Sequence, residues 1–128
     1  MHTDNLLANA VTRGDQLSAR LRERLTSPTS LAQPYIAEIR GGGMFWGIEF
    51  EIDDATATKL SKNGDTFAMA VQRTAFTNGL ITMGMHGGID GSRGDVLMLA
   101  PSLNITEAEV EKVVDLTVQS IEDVIRIL

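Results

Sequence analysis

The sequence predicts an α+β domain with the order helix-strand-strand-helix-strand-strand-helix, a small sheet carrying its helices on one face. Three observations carry this reading. Segments near both ends of the chain repeat apolar residues every three or four positions, as an amphipathic helix requires. Residues 44 to 51 alternate in the period of a strand. Glycine, proline and serine clusters separate the periodic segments. All 128 residues are read as one domain, a size at which folding buries roughly two-thirds of the extended-chain surface.

Thr3 or Asp4 caps a first helix whose stripe is Leu6, Leu7, Ala10, Gly14, Leu17, Leu21 and Leu25. Arg13, Arg20, Arg22, Glu23 and Arg24 solvate its other side, and Ser27-Pro28-Thr29-Ser30 stops it. A short strand over Tyr35 to Ile39 is expected to be interrupted at Gly41-Gly42-Gly43. In the second strand Met44, Trp46, Ile48 and Phe50 share one face, and Phe45, Gly47, Glu49 and Glu51 share the other. The polar stretch Ile52 to Asn63 reads as an exposed loop. Asp65 or Thr66 opens the next helix, closed by Asn78-Gly79, and Leu80 to Met85 reads as a third strand. Val96 to Ala100 forms the fourth. Thr106-Glu107-Ala108-Glu109 is a capping box that starts the terminal helix.

Composition excludes several classes. Hydrophobic residues make up 43% and charged residues 22%, the balance of a globular chain. No apolar run approaches the ~18 residues of a membrane span. The net charge of −6 and the scattering of the 11 basic residues speak against nucleic acid. The first residues lack the basic start and apolar run of a secretion signal, and there is no cysteine, so a cytoplasmic setting is expected. Without cysteine there is no thiolate metal site, and no metal is expected. The triple glycine does not read as a phosphate cradle, because a strand rather than a helix follows it.

The stretch Gly84 to Asp95 is a glycine-rich loop whose backbone can approach a ligand closely. It lacks the oxygen ladder and final glutamate of a calcium loop. His86, Asp90, Asp95 and Glu49 are the candidate acid–base groups, placed by this loop and the hairpin. Arg93 is the candidate anion anchor, with Trp46, Phe45 and Met85 as apolar walls of a small-molecule site between Met85–Asp95 and Gly41–Trp46. Met44, Phe45, Trp46 and Phe50 on a short hairpin are expected to leave an apolar patch, and with it a homodimer or higher oligomer.

Five stretches in this order resemble the C-terminal small domain of class III aminotransferases, fold-type I enzymes that depend on pyridoxal phosphate. They are Asn5 to Arg22; Ile39-Arg40-Gly41-Gly42-Gly43-Met44-Phe45-Trp46-Gly47-Ile48-Glu49-Phe50; Asn78-Gly79-Leu80-Ile81; Gly94 to Leu103; and Ile105 to Val110. The resemblance spans residues 4 to 127, and Gly87-Gly88-Ile89-Asp90-Gly91 is similar to an omega-aminotransferase-like branch. It implies that the Schiff-base lysine and the phosphate loop belong to a large domain outside this chain. Lys59, Lys62 and Lys112 match no cofactor position, so no cofactor is expected to bind this chain alone. Met98 stands where many members carry the arginine that holds the substrate carboxylate, and Ser102 replaces a proline.

The implied role is a detached or truncated domain serving as subunit or lid of a split transaminase, with a large-domain partner. The alternative is a stand-alone small-molecule enzyme or binding module that works without pyridoxal phosphate and self-associates.

Overall fold

The computed structural model describes residues 3–85 and 95–128. The elements are α1 (Thr3–Leu25), a 3-10 turn (Gln33–Tyr35), β1 (Ile36–Gly42), β2 (Phe45–Phe50), α2 (Asp54–Ser61), α3 (Phe67–Thr77), β3 (Met83–Met85), β4 (Val96–Leu99) and α4 (Glu107–Arg126). The strands form one sheet in the order β1-β2-β4-β3. Every neighbouring pair is antiparallel.

Strand alternation sets the two faces. Ile39, Trp46, Ile48, Phe50, Leu97 and Leu99 point inward and are buried. Leu17, Leu21 and Leu25 of α1, Phe67 and Val71 of α3, and Val110, Val114, Ile121 and Val124 of α4 complete the core from one side. Phe67 anchors the centre, stacked on Tyr35 and edge-on to Phe50 with ring centroids 5.8 and 4.8 Å away. The α+β layering with helices on one face is therefore as the sequence reading has it.

The outer helices α1 and α4 run parallel. Asn9 donates to the Leu103 and Ile105 carbonyls, Gln16 and Arg20 donate to Glu111, and Arg24 donates to Asp115. Residues four apart on one helix thus meet residues four apart on the other, a match of helical period. The charges are largely exposed, so this ladder fixes register more than it adds stability. Close packing demands a glycine at one point: a Cβ on Gly14 would lie 1.9 Å from the Gly43 carbonyl oxygen.

Four expectations differ from the structure. Ile52 to Asn63 is not all loop, because Asp53 accepts from the Thr56 amide at 2.7 Å and caps α2. Gly41 and Gly42 do not interrupt β1 but extend it, opposite Trp46 and Phe45, leaving the turn to Gly43 and Met44. The third strand shortens to Met83–Met85 because the Leu80 amide is spent closing α3, on the Ala75 carbonyl at 2.8 Å. Met44, Trp46 and Phe50 make no surface patch. All three are core residues, and of the four named only Phe45 is exposed.

Candidate functional site

The face of the sheet away from the helices is the candidate site. It is built from two rows of register partners. Arg40, Gly47, Met98 and Met83 lie side by side across the four strands, and Glu38, Glu49, Val96 and Met85 form the next row. Phe45 stands beyond them, 58% exposed. Toward β1 the face is charged: Arg40 Nη1 lies 3.2 Å from Glu38 and 3.5 Å from Glu49. Toward β3 it is apolar and rich in thioethers. The Met98 sulfur lies 3.2 Å from where a Gly47 Cβ would be, so the missing side chain lets Met98 fold down onto the strand.

This face gathers four of the nine residues singled out from sequence: Phe45, Glu49, Met85 and Met98. Two others lie elsewhere. Trp46 is buried on the helix side, donating Nε1–H to the Gly43 carbonyl at 2.8 Å, with the Arg22 guanidinium 5.6 Å from its ring centroid. Asp95 is buried too. Its carboxylate accepts the Ala68 amide at 2.9 Å, and its carbonyl accepts the Phe50 amide at 2.8 Å. Together with Thr66, which accepts from Met69, it caps the start of α3 where the helix dipole favours negative charge. His86, Asp90 and Arg93 lie outside the described residues.

The hairpin turn and the anchors of the glycine-rich loop do not meet. Phe45 sits at the turn end of β2, whereas Met85 and Val96 pair alongside Glu49. Four residues of strand separate those ends, about 13 Å at 3.3 Å per residue. The site expected between Met85–Asp95 and Gly41–Trp46 is thus not closed by the described parts of those segments. Sequence reasoning missed Met83, although its alternation with Met85 was visible. It also gave no sign of two open clefts, of about 260 and 460 Å³, on either side of the exposed Ile81. Leu99, Pro101 and Val113 line the first, and Arg73, Phe76 and Thr82 the second. Neither contains a residue expected to act.

The shifted titrating groups belong to the scaffold. Asp53 and Glu109 are held below the usual carboxylate range by backbone hydrogen bonds from Thr56 and Thr106, and Asp65 by its hydrogen bonds from Arg73. Among the described residues no three His, Cys, Asp or Glu side chains are grouped to hold a metal. None of the described helices is long and apolar enough to cross a membrane. Lys59 and Lys62 on or beside α2 and Lys112 on α4 are all exposed. A Schiff base needs a desolvated or otherwise activated amine, so these lysines do not fit pyridoxal phosphate.

No family model matches the chain. Relatives nevertheless do. An uncharacterised aminotransferase of Schizosaccharomyces pombe is 31% identical over 115 residues, covering 90% of this chain and 24% of that protein. The diaminobutyrate–2-oxoglutarate aminotransferase of Haemophilus influenzae is 30% identical over 130 residues, covering 100% of this chain and 26% of that protein. A transaminase from directed evolution by ancestral reconstruction superposes with a TM-score of 0.75 at 31% identity, over 98% of this chain and 25% of that one. Ornithine aminotransferase of Plasmodium yoelii shares the fold, with a TM-score of 0.69 at 21% identity over 94% of this chain and 26% of that one. The chain spans about a quarter of the length of the relatives it matches. With helices on one face, an antiparallel sheet and similarity over nearly its whole length, the chain matches about a quarter of each of these aminotransferases, consistent with a C-terminal fragment of a class III enzyme.

Proposed function

We propose that these residues work as the small domain of a transaminase, seating the outer sheet face against a lysine-bearing large domain as its subunit or lid. The observation that supports this most is the one-sided layering. All three long helices pack on the inner face, while Phe45, Met83 and Met85 stay exposed on the outer one. Apolar side chains grouped on one face mark an interaction surface. Pyridoxal phosphate, bound by the large domain, supplies the electron sink of the family's chemistry. On this reading the exposed Lys59, Lys62 and Lys112 do not carry it. The part of this chain is to exclude water with Phe45, Met83, Met85 and Met98, and to set orientation with the Arg40–Glu38–Glu49 cluster.

Stand-alone acid–base catalysis has less support, since Asp95 is buried against the Ala68 amide and Glu49 is paired with Arg40. Self-association through the same face is the competing reading, favoured by the same exposed side chains.

Tagging the gene in its source organism and isolating the native product tests both. The expected result is co-isolation of a lysine-bearing aminotransferase large domain, on the same polypeptide or on a partner, with transaminase activity. A homogeneous product without such a domain would overturn the proposal, and a dimer of this chain alone would select the competing reading.

A further inference from the structure

The end of the sheet where β4 finishes and β3 begins carries a surface separate from the outer face. Met83 and Met98 are the last pair between these strands, and Ile81 and Pro101 lie just beyond it. Gly79, at φ 98°, ends α3 in the left-handed conformation and turns the chain. Ile81 follows, 82% exposed. On one side of it lies the cleft bearing Arg73 and Phe76 of α3, and on the other the cleft bearing Pro101, Glu109 and Val113. Phe76 is itself 70% exposed. A cation and a carboxylate thus flank one apolar knob from opposite sides.

We propose that this surface docks a second copy of the chain, in an isologous contact whose two-fold axis passes beside Ile81. The argument is self-complementarity. A two-fold axis lying in the contact plane exchanges the two sides of the surface. It therefore sets Arg73 of each copy against Glu109 of the other, Ile81 against Ile81, and Phe76 over the other copy's Pro101–Val113 cleft. Opposite charges on the two sides of one knob are what such a copy requires, since like charges would repel twice. Both groups can take a further partner. Arg73 holds Asp65 through its two terminal nitrogens, yet a guanidinium has five N–H donors. Glu109 accepts the Thr106 amide on Oε1, and a carboxylate offers a second oxygen. The exposed charges set register and partner choice, while burial of Phe76 and Ile81 supplies the attraction. This contact stands whether or not the outer face seats a large domain.

The test expresses two differently tagged copies of the gene together in the source organism, with the photocrosslinker benzoylphenylalanine in place of Ile81. Irradiation should give a product carrying both tags, and peptide mass spectrometry should place the link within residues 73–82 or 99–113 of the other copy. Arg73→Glu alone and Glu109→Arg alone should each lower the yield of that product roughly fivefold or more. The two changes together restore the charge match and should bring the yield back to the parent level. Glu109→Arg also removes the acceptor of the Thr106 amide, but a change at residue 73 cannot repair that loss, so the rescue reads the contact itself. Phe76→Ser, at an exposed side chain, should give a similar loss without disturbing either hydrogen bond. A link to a different polypeptide or to another part of this one overturns the proposal. So does the absence of a doubly tagged product, or a double variant no better than the single ones.

Discussion

Gly14→Ala is a sharp test of the packing, because it adds one methyl group at the closest crossing in the fold. The new Cβ would sit 1.9 Å from the Gly43 oxygen and 2.7 Å from its carbonyl carbon. Carbon and oxygen do not approach within about 3 Å without strain, so α1 or the β1–β2 turn must give way by more than 1 Å. Both sides are backbone, and no rotamer can relieve the clash. Overpacking of this kind costs typically 1–3 kcal/mol. Replacing glycine by alanine in a helix interior returns roughly 0.8–1 kcal/mol, which centres the predicted loss at about 1 kcal/mol and bounds it at about 2 kcal/mol.

For a chain of this size a loss of about 1 kcal/mol lowers the melting temperature by roughly 3–5 °C. Urea and thermal melts followed by circular dichroism measure the loss. Trp46 fluorescence adds a local reading, since its indole N–H donates to that same Gly43 carbonyl. Gly42→Ala is the control: nothing lies within 4 Å of its Cβ position, and its φ is not positive. A Gly14→Ala protein as stable as its parent, with unchanged Trp46 emission, would refute the close crossing. So would equal losses in both variants.

Asp95→Ala should cost about 1–3 kcal/mol by leaving the buried Ala68 amide without its acceptor. Hydrogen exchange at the start of α3 should rise with it, and unchanged exchange there would contradict the capping role. Thr106→Ala removes one half of the capping box on α4 and should lower stability by ~1 kcal/mol in a urea titration. Acid should destabilise the fold through Asp53, Asp65 and Glu109, each held below its ordinary range. Because their folded values are the lower ones, the stability they contribute is complete above the unfolded range near pH 4. It is lost as pH falls through the folded values. Urea midpoints should therefore drop below about pH 4, and a flat profile down to pH 2 would count against these three hydrogen-bonded carboxylates.

The sequence is legible where the physics is local. The Thr106–Glu109 capping box, the Thr66 cap and the Asn78-Gly79 end of α3 each depend on residues within four positions. The inward and outward sets of β2 follow from alternation alone. What was illegible depends on partners distant in sequence. That β4 inserts between β2 and β3 decides where Met85 and Val96 lie in the sheet, and no residue spacing reveals it. Asp95 reads from sequence as a candidate acid–base group because its acceptor role involves Ala68, 27 positions earlier. The helix α2 escaped notice because it buries only Leu60 and so has no apolar stripe, although Asp53 was there to cap it.

The asymmetry of the sheet has a cause within the chain. A second layer would need an element with a long unused apolar stripe, and the described helices leave only short exposed pairs, Leu7 with Val11 on α1 and Met69 with Phe76 on α3. The stripes of α1, α3 and α4 are consumed on the inner face. The parallel ladder from Gln16–Glu111 to Arg24–Asp115 holds α1 and α4 there as a pair. The remaining helix, α2, buries a single leucine. The described helices therefore leave Met83, Met85 and Phe45 uncovered, while Gly47 keeps the centre of their face low enough for Met98 to lie flat. A face that is flat at its centre, charged at the β1 side and thioether-lined at the β3 side suits a broad partner surface better than a small ligand, which needs concavity. That shape supports the proposed docking over stand-alone catalysis.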